Sequence, residues 1–254
     1  MDPNELRRRI EAIDYIEFHI LEAPGDDRLK RRAEQVRAAL EEMNEREFRI
    51  LRREIRPGHF ESLVEPYTTE ADEEYTYLDI FLNRLFPYQT IPENPMDLDP
   101  DMVPFQKTPA RLIIELLKIW HPTKEDVFYD IGSGLGQAAI LVHLLTGIQC
   151  RGVEIDPALC EKAQACTSEL GLKNMRFINC DARKADFSEG TLFYLCTPFR
   201  GAVLETVLSL LKNESIKRKV TIVTLGPCSE TVTKLPWLRM EETTTRGLSV
   251  FSML

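Results

Sequence analysis

A glycine-rich turn is the part of the sequence whose residue types and spacing most clearly allow ligand chemistry. In the stretch VFYDIGSGLGQAAI, residues 127–140, apolar and β-favouring residues lead to Asp130, and Gly132, Gly134 and Gly136 follow at alternate positions. An apolar helical pattern begins at once, which predicts a strand, a tight turn and the N-terminus of a helix. Such a turn can receive a phosphate or the head group of an amino acid.

Spacing distinguishes this turn from the fingerprint of dinucleotide-binding proteins. That fingerprint has two residues between its second and third glycines, whereas Leu135 alone separates Gly134 from Gly136. Asp130 also ends the strand at a place where a dinucleotide fold normally keeps an apolar residue. A nicotinamide oxidoreductase is therefore the less favoured interpretation, although both classes share the strand, the turn and the helix.

Carboxylates also lie at the ends of the next two predicted strands. Glu154 closes CRGVE and Asp181 follows MRFINC, and the carboxyl ends of parallel strands meet at one crevice. A carboxylate at Glu154 can accept both hydroxyls of a ribose, and Asp181 is placed to accept from an exocyclic amine, with Asp186 as a competitor. Structural alternatives remain, because Asp130 could cap the turn and Glu154 could be a solvated strand end. Their joint placement favours a nucleoside site.

The elements that must position these carboxylates alternate regularly. From residue 110 onward, helical patterns alternate with nearly continuous apolar strands, which indicates an α/β fold with a mostly parallel sheet covered on both faces. Two last strands with Arg246-Gly247 between them predict a terminal hairpin, and hence an antiparallel strand. The predicted strands before the hairpin are 126–131, 150–155, 174–179, 191–196 and 219–225, and the predicted helices are 110–120, 135–146, 157–170 and 201–212.

The first sixty residues predict an antiparallel helical hairpin. Apolar residues recur every three or four positions from Leu6 to Ile20, and APGDD then breaks the pattern and offers Asp26 or Asp27 as an N-cap. A second apolar stripe begins at Leu29. Such a stripe is more often packed core than a partner-binding face, and a coiled-coil contact that forms a homo-oligomer stays open.

A connector rich in proline joins the helices to the α/β region. Residues 87–109 hold six prolines and little periodicity, so we expect an extended segment that covers the site. The expected domains are a helical N-terminal cap with an acidic, proline-rich connector at 1–104, and a ligand-binding domain at 105–254.

The formal net charge of -9 is concentrated in one segment. Residues 61–104 carry 1 basic and 11 acidic side chains, whereas residues 1–60 carry 13 and 14, and residues 105–254 carry 18 and 16. No segment has the basic excess typical of nucleic-acid enzymes, so nucleic acid is disfavoured as a partner.

The cysteines and the N-terminal segment indicate the cellular compartment. The six cysteines form no C-x-x-C pair and have no nearby histidine in ligand spacing, so neither a metal site nor a redox motif is expected. The sequence has no run of eighteen apolar residues, and MDPNELRRRI does not begin a signal peptide. We expect a cytoplasmic protein with no membrane partner.

Three motifs resemble those of a known family. YDIGSGLGQ, GVEIDP and NCDAR are similar to the cofactor motifs of class I S-adenosylmethionine-dependent methyltransferases. With FQKTPARLIIELLKI ahead of them, they look most like the non-SET-domain histone lysine methyltransferases and their bacterial relatives. The resemblance covers roughly residues 105–254. It implies a Rossmann-like, seven-stranded, mostly parallel sheet with a terminal antiparallel strand, to which this chain adds an N-terminal helical extension.

The resemblance also implies a cofactor, S-adenosyl-L-methionine, and its contacts. Its methionine carboxylate would meet free N–H groups of the turn and of the helix N-terminus, and Asp130 would attract its ammonium. Glu154 would hold the ribose and Asp181 the adenine amine. Thr108 would touch the methionine end. The implied cofactor-binding residues are Thr108, Asp130, Gly132, Ser133, Gly134, Gly136, Gln137, Glu154, Ile155, Asp181 and Ala182.

The segment TLFYLCTPF is expected to form the acceptor side of the site, with Cys196, Thr197 and Phe199 as the implied catalytic residues. Amino-methylating relatives carry a polar residue, a proline and an aromatic residue there. The histone-methylating relatives have asparagines where this chain has Cys196 and Thr197. They also use a strongly basic segment to hold nucleosomes, whereas no segment of this sequence has a strong basic excess. Both differences disfavour a histone substrate. Methyl transfer needs alignment and desolvation more than a strong base, and YLCTPFRG contains none.

The sequence thus predicts a methyltransferase that acts on a protein side chain, with lysine as a candidate, or on a small-molecule acceptor. The alternatives are a small-molecule N- or O-methyltransferase without a protein substrate, a cofactor-binding scaffold without turnover, and, less favoured, a nicotinamide oxidoreductase. We also expect residues 61–104, with Asp72, Glu73 and Glu74, to form one wall of the acceptor entrance and to favour a cationic acceptor. A solvated acidic surface that limits aggregation is the alternative for this segment.

Overall fold

A computed structural model describes residues 3–22, 24–67, 77–87 and 96–254. Helices come first in the chain and then alternate with strands. In the described ranges the α-helices are α1 Pro3–Ile16, α2 Asp27–Glu54, α3 Phe60–Val64, α4 Tyr77–Leu85, α5 Ala110–Ile119, α6 Gln137–Thr146, α7 Pro157–Glu169, α8 Gly201–Ser215 and α9 Cys228–Thr233. None of these helices is long and apolar enough to cross a membrane.

Seven strands form one sheet in the order β3-β2-β1-β4-β5-β7-β6. The strands are β1 Val127–Ile131, β2 Gln149–Glu154, β3 Met175–Asn179, β4 Leu192–Cys196, β5 Thr221–Leu225, β6 Leu238–Thr243 and β7 Leu248–Met253. β1 to β5 pair in parallel, and β7 runs antiparallel to both β5 and β6. The predicted Rossmann-like, mostly parallel α/β fold is confirmed, and the antiparallel strand lies inside the sheet because β6 forms the edge.

Two hydrophobic cores cover the two faces of the sheet. Side chains alternate along each strand, so Phe128 and Tyr194 pack under α5, α6 and α7, whereas Tyr129 and Phe193 pack under α8. The first core also includes buried residues of α1, α2 and α4, so the N-terminal helices share a core with the α/β region. β1 lies between β2 and β4, which makes its carboxyl end the switch point where open α/β sheets bind ligands.

The predicted N-terminal hairpin is confirmed, with one difference in its packing. Asp26 is the N-cap of α2, because its side chain accepts from the Arg28 N–H at 2.7 Å. Ala33, Phe48 and Leu51 are buried, as the stripe predicts. The large apolar residues at seven-residue intervals are instead about half exposed, and these are Leu29, Val36, Met43 and Ile50. On a straight helix, each residue is displaced around the helix axis by about 20° from the residue seven positions before it. Residues spaced seven apart therefore drift off the buried face. The homo-oligomer contact stays a prediction.

A buried arginine fixes the two helices of the hairpin against each other. Arg9 on α1 is 7% exposed; its Nε donates to Asn44 Oδ1 and its Nη1 to Glu5 Oε1, each at 2.8 Å. It also pairs with Glu47 on α2. The network crosses from one helix to the other, so it specifies their relative register.

Replacing Arg9 with alanine is expected to lower the free energy of unfolding by about 2 to 3 kcal/mol, because Asn44 and Glu47 lose their partner inside the hairpin. Arg46, whose pair with Glu42 is exposed on both sides, is the matched control. Its replacement by alanine should cost less than about 0.5 kcal/mol. Urea unfolding measures both losses of stability. If the two variants lose the same free energy of unfolding, the buried network does not stabilise the hairpin more than an exposed ion pair does.

Candidate active site

The carboxyl ends of β1, β2, β4 and β5 open into one large cavity of about 1390 Å³. Pockets that hold a drug-sized ligand usually measure about 300 to 1,000 Å³, so this cavity has room for two molecules. Its walls also include residues 102–109 of the connector, the start of α9 and the turn between β6 and β7. The connector therefore covers the site, as predicted.

The glycine-rich turn after β1 is built for close approach. Gly132 has φ of +81°, a conformation that favours glycine, and a Cβ at this position would overlap Pro198. A Cβ at Gly134 would overlap the ring of Phe105 from the connector. The turn can therefore touch both the acceptor segment and the connector only because it has no side chains at these positions.

Four N–H groups of the turn donate within the protein and are not free to meet a ligand carboxylate. The N–H groups of Gly132 and Ser133 donate to Val153 O at 2.8 and 3.0 Å, and that of Gly136 donates to Ser133 O at 2.7 Å. The N–H of Gly134 donates to the Glu154 carboxylate. Three of these bonds join the turn to the end of β2. The predicted contact of a ligand carboxylate with the N-terminus of α6 stays a prediction.

Asp130 is a buried carboxylate at the end of β1. Burial first, and then the neighbouring Glu154, raise its pKa to about 7, although a hydrogen bond from the Ala139 N–H lowers it. No cationic side chain contributes to this pKa. A buried carboxylate without a cation is unfavourable when ionised. The position therefore suits a ligand that brings its own ammonium group.

Glu154 is not a solvated strand end, because it is buried and both of its oxygens accept hydrogen bonds. Oε2 accepts from the Gly134 N–H at 2.7 Å and Oε1 from the Asp156 N–H at 2.9 Å. Burial raises its pKa, while these two bonds act in the opposite direction. Each carboxylate oxygen has a second lone pair, so Glu154 can still accept two ribose hydroxyls.

The methionine end of the predicted cofactor site contains unpaired polar atoms. Gln137 at the start of α6 donates from Nε2 to Thr108 O at 2.9 Å. Its Oε1 atom and the Ser133 hydroxyl are buried and have no hydrogen-bond partner among the described residues. Buried polar groups normally have partners, so these atoms fit the ammonium and carboxylate of an amino-acid head group.

Asp181 lies beside the cavity rather than in its wall. Its neighbours Cys180 and Ala182 line the cavity, as does Ile155. The Asp181 carboxylate accepts from the Arg183 N–H at 2.9 Å and from Arg183 Nη2 at 2.7 Å, and Arg183 lowers its pKa. The competitor Asp186 accepts from the Ser188 N–H and does not line the cavity. The contact of Asp181 with the adenine amine stays a prediction.

The predicted acceptor residues Cys196, Thr197 and Phe199 all line the cavity. Burial raises the pKa of the Cys196 thiol, so the thiol is protonated at neutral pH. Thr197 has φ of +42° and donates from Oγ1 to Leu225 O at 2.6 Å. A non-glycine residue with positive φ is strained and needs surrounding structure to hold it.

The connector is hydrogen-bonded to this acceptor segment. Met102 forms a β-bridge with Phe199, the Val103 N–H donates to Pro198 O at 3.0 Å, and the Arg200 N–H donates to Asp101 O at 2.7 Å. The connector and the acceptor segment therefore form one wall of the cavity. The proline content indicated a connector over the site, but no sequence signal indicated that it would pair with the segment after β4.

The acidic segment 61–104 contributes few carboxylates to this wall within the described residues. Asp99 pairs with Arg183 at 3.3 Å, and Asp101 accepts from the Ala202 N–H at 3.0 Å. Neither lines the cavity, whereas the apolar Met96, Leu98 and Met102 of the same segment do. Asp72, Glu73 and Glu74 lie outside the described residues, so the acidic wall and the cationic acceptor stay predictions.

The fold and the cavity agree with the nucleoside site and the S-adenosylmethionine-binding domain that the sequence motifs predict. Asp130, Glu154 and Gln137 would hold the cofactor's ammonium, ribose and methionine end, with Ile155 and Ala182 beside its base. Residues 106–214 match the family described as "Histone methylation protein DOT1", a match that spans less than half of the chain.

Three of the solved structures to which the chain is similar are described as methyltransferases. An RNA methyltransferase from Salinibacter ruber in complex with S-adenosyl-L-homocysteine is 24% identical and has a TM-score of 0.49, and the match covers 58% of this chain and 94% of that chain. An S-adenosylmethionine-dependent methyltransferase from Aquifex aeolicus is 17% identical with a TM-score of 0.47, covering 57% and 93%. A putative methyltransferase, yhhF, from Escherichia coli is 16% identical with a TM-score of 0.47, covering 56% and 86%. No curated protein matches the sequence.

Proposed function

We propose that this protein transfers the methyl group of S-adenosyl-L-methionine to a side chain of a protein, with lysine as the favoured acceptor. The observation that carries the proposal is a single cavity that runs from the predicted cofactor residues to Cys196, Thr197 and Phe199. The match to a family described by histone methylation supports a protein acceptor. The proposal does not extend to histones, because Cys196 and Thr197 replace the asparagines of the histone-methylating relatives.

The side chains around the cavity support alignment more than acid–base chemistry. The bound cofactor supplies a methyl group already activated by a sulfonium. Phe105, Met102 and Phe199 line the cavity with apolar surface that excludes water. The strained Thr197 is held in place by its bond to Leu225 O. Cys196 is a protonated thiol and is no base, so we infer that an acceptor amine loses its proton to water.

A small-molecule acceptor is the second candidate. The connector that pairs with Phe199 closes one side of the acceptor half, which suits a compact substrate as well as an extended side chain. A cofactor-binding scaffold without turnover is the third candidate. Transfer of methyl groups distinguishes it from the other two.

The proposed function predicts tight binding of one cofactor class and transfer of its methyl group. Calorimetry should show binding of S-adenosylmethionine and S-adenosylhomocysteine at micromolar concentrations and no binding of nicotinamide dinucleotides. Incubation with methyl-labelled cofactor and host extract, followed by mass spectrometry, should identify methylated lysines. Labelled metabolites without labelled protein would favour the small-molecule acceptor. Cofactor binding without any labelled product would support the scaffold, and binding of nicotinamide dinucleotides alone would contradict the whole assignment.

A further inference from the structure

The two halves of the cavity carry opposite charges. Asp130 and Glu154 line the half formed by β1 and β2. Arg246 of the turn between β6 and β7 and Glu230 after β5 line the other half, and Arg111 of α5 lines the same cavity. The strand order places β1 and β2 on one side of β4, and β5, β7 and β6 on the other. Arg246 therefore lies on the acceptor side of the cavity.

Arg111 carries a positive charge for which the described residues provide no ion-pair partner. It lies in the first turn of α5, and its Nε and Nη1 atoms are buried without a hydrogen-bond partner in the part of the chain that the structure describes. A guanidinium does not lose its proton in a protein. A buried charge without a counter-ion is costly, so this side chain needs an anion to complete its surroundings.

A second guanidinium lies in the same wall. Glu115 follows Arg111 by one helical turn, so the two side chains share a face of α5. Arg246 Nη1 lies 3.5 Å from Glu115 Oε2. This contact joins the turn between β6 and β7 to the same face of α5, and it brings Arg246 to the part of the cavity that Arg111 lines.

We propose that Arg111, supported by Arg246, forms an anion subsite that binds a carboxylate or phosphate of the methyl acceptor. A guanidinium with unpaired N–H donors binds such a group through charge-assisted hydrogen bonds. The inference rests on the proposed function, and it adds that the acceptor carries an anionic group beside its nucleophile. An acceptor with both an amine and a carboxylate would also agree with the expected preference for a cation.

The cofactor's own carboxylate could supply the same chemistry. The contact of Arg246, on the side of β5 and β7, with Glu115, one helical turn after Arg111, favours the acceptor as the source. The two sources predict different effects on cofactor affinity, so one variant distinguishes them.

The direct test uses the full chain saturated with S-adenosylhomocysteine and titrated with inorganic phosphate or succinate at constant ionic strength. Replacing Arg111 with glutamine should weaken binding of these probes about 10-fold or more, and Arg111→Lys should weaken it less, because it keeps the charge but loses the planar donors. Arg239→Gln is the matched control, since Arg239 is exposed on β6 and does not line the cavity. Equal affinity of wild type and Arg111→Gln would overturn the subsite.

Cofactor affinity identifies the source of the anion. If Arg111 binds the acceptor, Arg111→Gln should change the dissociation constant of S-adenosylhomocysteine less than about twofold. A large loss for this ligand, with none for 5′-methylthioadenosine, which has no carboxylate, would assign Arg111 to the cofactor and overturn the proposal. The wild type could instead bind phosphate but not S-adenosylhomocysteine, with Arg111→Gln abolishing the phosphate binding. That result would contradict the proposed function but support the anion subsite. Thermal melting of the ligand-free variant checks folding; we expect it to be at least as stable as wild type, because the removed charge is unpaired.

Discussion

Replacing Asp130 with asparagine is expected to weaken binding of S-adenosylhomocysteine about 100-fold, while it makes the ligand-free protein more stable at pH 8. Both effects have the same origin in the burial of Asp130, which raises its pKa to about 7. Asparagine cannot pair with the ammonium of the ligand, so a charge-assisted contact is lost. It also carries no charge into the protein interior, so the cost of an ionised, unpaired carboxylate disappears.

The direction of the pH dependence follows from this pKa. In the unfolded chain Asp130 ionises near its ordinary value of 3.8, whereas in the folded chain it keeps its proton up to about pH 7. Its contribution to the stability of the ligand-free protein is therefore lost as pH rises from about 4 to 7. Above pH 7 the gain from Asp130→Asn should be on the order of 4 kcal/mol, and near pH 4 it should vanish.

Cofactor binding should show the opposite trend, because the ligand's ammonium favours the ionised carboxylate. Affinity of the wild type should rise between pH 6 and pH 8, and binding below pH 7 should release a proton, which calorimetry in two buffers of different ionisation enthalpy detects. Asp130→Asn should remove this pH dependence. Asp186→Asn is the matched control, because Asp186 lies outside the cavity wall. A pH-independent wild type would show that Asp130 does not meet the ammonium.

Replacing Glu154 with glutamine is expected to weaken binding of adenosine-containing ligands by roughly 10-fold to 100-fold. The amide keeps the shape but has one oxygen, so it cannot accept from the Gly134 N–H, the Asp156 N–H and two ribose hydroxyls together. One of the two backbone N–H groups is left without an acceptor, which should also lower the free energy of unfolding by about 1 to 3 kcal/mol.

Adenosine and 2′,3′-dideoxyadenosine separate the ribose contact from damage to the turn. If Glu154 holds the ribose, the wild type should prefer adenosine and Glu154→Gln should lose most of that preference. If the variant weakens both nucleosides equally, Glu154 only supports the glycine-rich turn and the assigned ribose contact is wrong. Asp156→Asn serves as the control, because Asp156 lies in the same wall but its side chain caps α7.

Local chemistry explains why the cofactor half was predictable from the sequence. A strand, a glycine turn and a helix N-terminus are specified by neighbouring residues, so Asp130 and Gly132 lie where the pattern predicts. The alternation of strands and helices also determines a parallel sheet, whose carboxyl ends bring Glu154 to the same crevice. The short helices α3 and α9 were missed, because one or two turns show no measurable periodicity.

The acceptor half was decided by tertiary structure. The pairing of Met102 with Phe199 joins residues almost one hundred positions apart, and the contact of Arg246 with Glu115 joins residues on a hairpin and a helix. No local pattern encodes such contacts. Val153 and Glu154 on the neighbouring strand accept hydrogen bonds from N–H groups of the turn, and this contact too depends on tertiary structure.

By itself, the sequence determined the fold class, the turn and the carboxylates of the cofactor half, because these depend on local periodicity and on the rule that parallel strands end at one edge. Only the tertiary structure decided the unpaired charge of Arg111, the wall formed by the connector and the exposure of Leu29 on α2. Whether a side chain is buried or paired depends on which parts of the chain pack against each other. The free energy of a charge or an apolar side chain is therefore set by tertiary contacts rather than by its neighbours in the sequence.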